Sequence, residues 1–125
     1  MIELKNVSKV YGKKSSVFTA LDNVSVSIAD GASVAIIGKS GSGKSTLMHA
    51  MSGLDHATSG VVKIAGKDLT TMNQKTVDKF RNKQMGFIFQ SFFIEANQSC
   101  VDNVSLPLEI AKIPIKKRKT LALEA

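Results

Sequence analysis

Gly38-Lys39-Ser40-Gly41-Ser42-Gly43-Lys44-Ser45-Thr46 is the stretch on which the reading of this chain turns. It fits G-x-x-x-x-G-K-[ST], the pattern of a loop that wraps nucleotide phosphates. Before it, Ser33-Val34-Ala35-Ile36-Ile37 is a continuous apolar run, as expected of a strand buried on both faces. After it, Leu47, Ala50, Met51 and Leu54 recur at i, i+3, i+4 and i+7, one face of a helix that should end near Gly53. Strand, glycine loop and helix follow in the order a phosphate site needs. At ordinary residue frequencies the four fixed positions match by chance in about one chain of this size in a few hundred, and the flanks lower those odds.

The chemistry follows from the residue types. Gly41 and Gly43 allow positive φ and have no Cβ to block a close approach. Backbone N–H groups of residues 38–46, including those of Gly38, Lys39, Ser40 and Ser42, can then converge on phosphate oxygens at the positive end of the following helix. Lys44 is placed to reach the β- and γ-phosphates as a point charge. Ser45 offers a hydroxyl to Mg²⁺, a cation that prefers oxygen and keeps much of its water. Thr46 adds a hydroxyl near the α-phosphate.

The chain has 125 residues, enough for one modest domain with a core, of ordinary hydrophobic and charged content. No apolar run approaches membrane-spanning length and the first residues do not read as a signal peptide, so a cytosolic location is the default. The single Cys100 has no cysteine to pair with and no ligand cluster around it, and is read as a packed or partly exposed thiol. The formal net charge is +7. Its basic residues are dispersed (Lys75, Lys79, Arg81 and Lys83 in one segment, 116–119 in another) and no aromatic residues interleave with them, so nucleic-acid binding is not expected. Solvated faces, an acidic membrane surface, or a missing acidic part of the protein are the alternatives.

Taken in order, residues 2–7 read as a short strand, 11–16 as a turn-rich basic loop, and 24–28 as a half-buried and antiparallel strand because they alternate strictly. Asp30-Gly31 is a turn. Ser59-Gly60 is another, before a strand at 61–65 that Gly66-Lys67 stops. Thr71-Met72-Asn73-Gln74 fits a capping box opening a helix to about Lys83, with Val77 and Phe80 as its apolar stripe. Residues 85–89 form a short apolar strand with Gln90 at its carboxyl end, where α/β proteins place site residues. From Asp102 the pattern is helical, divided by Pro107 and Pro114, each tolerable only near a helix start. Arg118, Leu121, Ala122 and Ala125 then recur at helical spacing, and the chain stops in the middle of that pattern.

In this order the motifs resemble the nucleotide-binding domain of ABC transporters, closest to the branch serving lipoprotein release, macrolide or peptide export and cell division. Residues 7–11, 38–46, 58–61, 81–90 and 102–108 carry the likeness. It spans this chain but only the N-terminal half of the family domain. The resemblance implies an α/β P-loop NTPase fold with an N-terminal antiparallel β-subdomain (about 1–31 and 60–66). A P-loop core (32–54 and 74–90) and the start of a helical subdomain (101–125) complete a truncated whole. It implies that Tyr11 stacks on adenine and that Gln90 approaches Mg²⁺ and the attacking water and links the site to the permease. Lys44 and Gln90 are then the catalytic candidates, and Ser45 and Gln90 the metal ligands. Phe92, Phe93 and Ile94 fall where the family docks its permease.

The implied ligands are ATP and Mg²⁺. The implied partners are a transmembrane permease subunit and a second ATP-binding subunit, at the inner face of the cell membrane. The family's Asp-Glu strand, signature sequence and switch histidine have no match here, and His49 and His56 are read as ordinary surface or packing residues. Glu95 and Asn97 replace the leucine-proline pattern usual for the branch. The chain alone is therefore expected to bind Mg-ATP weakly at most and to hydrolyse nothing. The competing readings are a non-catalytic nucleotide-binding module, which steady ATPase activity would exclude, and a different P-loop kinase, which a preference for adenine would disfavour.

Overall fold

The computed structural model describes residues 1–13, 16–91 and 94–125. They divide into two compact units, Met1–Val77 and Asp78–Ala125. The first is organised on strands β1 (Ile2–Tyr11), β2 (Phe18–Ile28), β3 (Ser59–Ile64) and β4 (Lys67–Asp68), in sheet order β2-β1-β3-β4. Every pairing is antiparallel. Helix α1 (Lys44–Met51) belongs to the first unit. Helix α2 (Gln74–Gln84) passes from the first into the second, which also holds α3 (Cys100–Ile110) and α4 (Ile115–Glu124).

β1 is longer than the expected 2–7, and its irregularity explains why alternation hid the rest. Leu4 pairs with Val26 and Val7 with Val24, so β1 takes three steps where β2 takes two. The same happens against β3, between Lys5↔Val61 and Ser8↔Ser59. The extra residue is a bulge. Asn6 carries it at φ 50°, a left-handed conformation that asparagine tolerates, and Ser25 Oγ accepts from its backbone N–H at 2.9 Å. Leu4 and Val7 are in consequence both buried although three residues apart. Tyr11, expected to open a loop, is instead the last residue of the strand.

β3 begins at Ser59 rather than after a Ser59-Gly60 turn, and Gly66-Lys67 does not end the sheet. Ala65 and Gly66, at φ 48° and 75°, make the two-residue loop of a hairpin that pairs Ile64 with Lys67. The first unit's core is Leu4, Val7, Leu21, Val62 and Ile64 from the sheet, Ala50 and Met51 from α1, and Leu69 and Val77 beyond. Full burial of a Val, Leu or Ile side chain stabilises by about 1.5–3 kcal/mol, so these few contacts supply most of the unit's cohesion.

α1 ends two residues before Gly53. Ser52 caps it and Gly53, at φ 66°, turns the chain back. Gly53 N–H donates to Ala50 O at 3.2 Å and Leu54 N–H to His49 O at 3.0 Å, the paired bonds of a Schellman stop. Leu54 thereby leaves the expected apolar stripe and is exposed, while Ala50 and Met51 are buried. The cap of α2 also differs from expectation. Asn73, not Thr71, caps it: Asn73 Oδ1 accepts from Thr76 N–H at 3.0 Å. Thr71 lies in a 3-10 turn, Leu69–Thr71, and Gln74 Oε1 meets His56 Nε2 at 2.5 Å.

The two expected inner strands are corrected by the structure. Residues 33–37 and 85–89 form no strand, because among the described residues none pairs with either. Ile37 is 89% and Ile88 103% exposed. A strand is a property of a ladder, and an apolar run without a ladder partner has nothing to fix it.

In the second unit α3 starts at Cys100, two residues before the expected Asp102. Ser99 Oγ accepts from Asp102 N–H at 3.2 Å and donates to Asp102 Oδ2 at 2.6 Å. Pro107 sits inside α3 rather than near its start. Its missing N–H forgoes the bond to Asn103 O, while its own carbonyl accepts from Ala111 N–H at 3.1 Å and from Asn82 Nδ2 at 3.2 Å. Asn103 ties down the preceding turn: Oδ1 accepts from Glu95 N–H at 2.8 Å, and Nδ2 donates to Glu95 O and Ser99 O, each at 3.1 Å. α4 carries the expected half-buried face of Arg118, Leu121 and Ala122, with Ala125 exposed, and Arg118 Nη1 pairs with Glu109 Oε2 of α3 at 2.6 Å.

Candidate nucleotide-binding site

The loop of residues 38–46 leads into α1, whose first helical residue is Lys44 and whose N-cap is Gly43. Gly43 has φ 86°. A Cβ there would stand 2.6 Å from Ala20 O of β2, so glycine is required both by the turn and by the close approach of sheet and loop. Ser42 N–H donates to Lys39 O at 3.2 Å and Leu47 N–H to Gly43 O at 2.8 Å, closing the loop onto the helix. Lys44 Nζ folds back into the loop and donates to Gly38 O at 2.9 Å and Lys39 O at 2.7 Å. Gly38, Lys39, Gly43 and Lys44 are thus brought together.

Ser45 is exposed in the first turn of α1. With Lys44 it lines a cleft of about 340 Å³ whose other walls are Ile28, Val34, Ile36, Met48 and Met51. Gln90 is exposed at the end of residues 85–89, in the second unit. Phe92 and Phe93 lie outside the described residues; Ile94 is exposed.

Tyr11 is delivered to this region by the bulge in β1. Past Asn6, residues 7, 9 and 11 share the face that Val7 buries. The Tyr11 hydroxyl donates to Asp55 Oδ2 at 2.7 Å, and the Thr46 side chain acts on the phenol in the opposite sense, lowering it. Lys9 Nζ donates to Asp55 Oδ1 at 2.6 Å and to His56 O at 2.7 Å. The hydrogen bond to Asp55, with burial second, raises the Tyr11 phenol above its ordinary value. The hydrogen bond from Lys9 holds the Asp55 carboxyl below its own. Neither Lys9 nor Asp55 is singled out by sequence reasoning. The i, i+2 spacing of Lys9 and Tyr11 was a usable signal. Asp55 had none, because only the Schellman stop of α1 sets it opposite β1.

The fold and the loop define a P-loop nucleotide-binding protein. The ABC transporter family profile matches residues 21–124, and this chain belongs to that family. The methionine import ATP-binding protein MetN of Geobacillus kaustophilus is 42% identical over 118 residues, 94% of this chain and 34% of that protein. The lipoprotein-releasing system ATP-binding protein LolD of Pseudoalteromonas translucida is 40% identical over 124 residues, 99% of this chain and 53% of that protein. Among solved structures, the ATP-binding cassette MJ0796, a dimer in a post-hydrolysis state bound to ADP and Pi, superposes with a TM-score of 0.87. It is 37% identical, covering 99% of this chain and 55% of that one. The chain spans about half the length of LolD and of MJ0796. No helix among the described residues is long and apolar enough to cross a membrane.

Proposed function

We propose that this chain is the nucleotide-holding part of an ABC transporter ATPase, which couples ATP binding and hydrolysis to substrate movement through a membrane permease. The observation that carries the reading is the lysine of the loop. An ammonium has three N–H donors; Lys44 gives two to the carbonyls of Gly38 and Lys39, which aims the group into the loop with a donor left for a phosphate oxygen. Residues 38–46 hold the triphosphate through backbone N–H groups, and the α1 N-terminus adds its partial positive charge. The base stacks on Tyr11, a contact worth about 1–3 kcal/mol.

The donors fit Mg²⁺. The Ser45 hydroxyl and the Gln90 carboxamide each offer a hard oxygen, the donor type taken by an ion held largely by phosphate and water. When bound, Mg²⁺ offsets phosphate charge. Gln90 also relays the state of the site to the permease. The division into an antiparallel part (1–31, 60–66), a P-loop core (32–54, 74–90) and a helical start (101–125) belongs to the same proposal. So do pairing with a second ATP-binding subunit and residence at the inner face of the cell membrane. Import and export subunits match this stretch about equally well, MetN at 42% and the macrolide export protein MacB of Salmonella choleraesuis at 40%. The matched stretch thus belongs to the motor rather than to cargo selection.

Equilibrium binding of Mg-ATP to the unaltered chain and to Lys44→Ala tests the reading. The expected outcome is weak binding without turnover, lost in the variant. Undiminished affinity in Lys44→Ala would remove the assignment.

A further inference from the structure

Lys9 and Tyr11 stand on one face of β1, and Lys9 Nζ lies 4.8 Å from the centroid of the Tyr11 ring, a cation–π distance. The same ammonium is bonded to Asp55 Oδ1, while Asp55 Oδ2 takes the Tyr11 hydroxyl. One carboxylate therefore joins the cation over the ring to the hydroxyl at its tip, and the three side chains close into a cycle. His56 contributes its carbonyl to Lys9. The Lys9 side chain is 12% exposed, yet Tyr11 keeps 39% of its surface open. The ring is held at two points, with one face under a cation.

We propose that Lys9 and Asp55 are positioning residues for base recognition, locking the Tyr11 ring so that a purine is received on the face opposite Lys9. This rests on Tyr11 being the base platform. Its physical content is pre-organisation. A ring already fixed at its tip and one face has no rotamer freedom left to lose when a base arrives, so stacking is realised in full. Without Asp55 the phenol loses its acceptor and Lys9 its partner, and the ring must be ordered by the ligand.

The test measures affinity of the full chain for Mg-ATP and for inorganic tripolyphosphate, which has no base, in Asp55→Ala, Asp55→Asn, Tyr11→Ala and the double variant Tyr11→Ala/Asp55→Ala. Asp55→Ala is expected to weaken ATP about three- to ten-fold and leave tripolyphosphate unchanged. Asp55→Asn, which still accepts from the phenol, recovers part of that loss, and the double variant is no weaker than Tyr11→Ala alone. Tyr11 is the only tyrosine and there is no tryptophan, so the tyrosinate absorbance titration of each variant reports this one ring. It should move to lower pH in Asp55→Ala, a readout of the hydrogen bond, while unchanged affinity for tripolyphosphate identifies a variant that remains folded. A loss in Tyr11→Ala with none in Asp55→Ala, or an Asp55→Ala loss that persists undiminished in the Tyr11→Ala background, overturns the positioning role alone. No loss in Tyr11→Ala, or no ATP binding by the unaltered chain, overturns the base-platform reading and the proposal with it.

Discussion

Asp55 links two titrations of opposite sense. Lys9 holds its carboxyl below the ordinary 3.8, so the pairing stabilises the fold above that value and is lost as pH falls through the depressed one. The Tyr11 phenol is raised above 10.0 by the same carboxylate. Its contribution is complete below 10.0 and is lost as pH rises through the elevated value. Both contributions coexist between these limits. The difference in melting temperature between the unaltered chain and Asp55→Ala is expected to be flat across neutral pH and to shrink at both ends. A difference that grows below pH 3.8 would contradict the pairing. Since both groups are partly exposed, added salt should reduce the effect without abolishing it.

At the scale of elements, the end of α1 is the point where sequence and structure agree most closely and yet differ in detail. Gly53 is legible as a stop because glycine is favoured after a helix, and the structure places it one residue past the cap. A Cβ on it would stand 2.9 Å from Val77 Cγ1 and 3.2 Å from Leu69 Cδ1, and its φ costs other residues about 1–2 kcal/mol. Gly53→Ala is expected to destabilise by about 2 kcal/mol in urea unfolding; a loss under about 0.5 kcal/mol would mean the stop is not under strain. The loop of 38–46, α1, α2, most of β1 and β3 and the 24–28 end of β2 were legible because their cues are local: glycine placement, helical spacing, alternation; the 18–23 start of β2 was not. The 8–11 end of β1, the cap at Asn73, the interior Pro107 and the Lys9–Asp55 pair were not. Each depends on a bulge, a competing side-chain bond or a partner distant in sequence, and no short-range pattern encodes those.

For the molecule as a whole, the two runs read as inner strands are apolar and have no ladder partner among the described residues. Ile37 and Ile88 are almost wholly exposed, Val34 and Phe89 more than half. Exposed apolar segments associate. Sedimentation should show concentration-dependent association of the isolated chain at roughly 10–100 µM, reduced in Ile37→Ser/Ile88→Ser. A monodisperse monomer over that range would show that these segments are covered in solution. The apolar walls beside Ser45 concern the first of these runs: Val34 and Ile36 border the cleft lined by Lys44, so whatever covers residues 33–37 also sets how wet the loop is, and a drier loop binds anions more strongly.

The bulge at Asn6 gives β1 a parity. Leu4 and Tyr11 lie seven residues apart, an odd count that would set them on opposite sides of a regular strand, yet one is buried in the core and the other reaches α1. A single insertion between Val7 and Tyr11 that kept the regular alternation would carry the aromatic ring to the far side of the sheet, away from Asp55, and only a second bulge could bring it back. That parity is set by one asparagine, five residues before the tyrosine it aims.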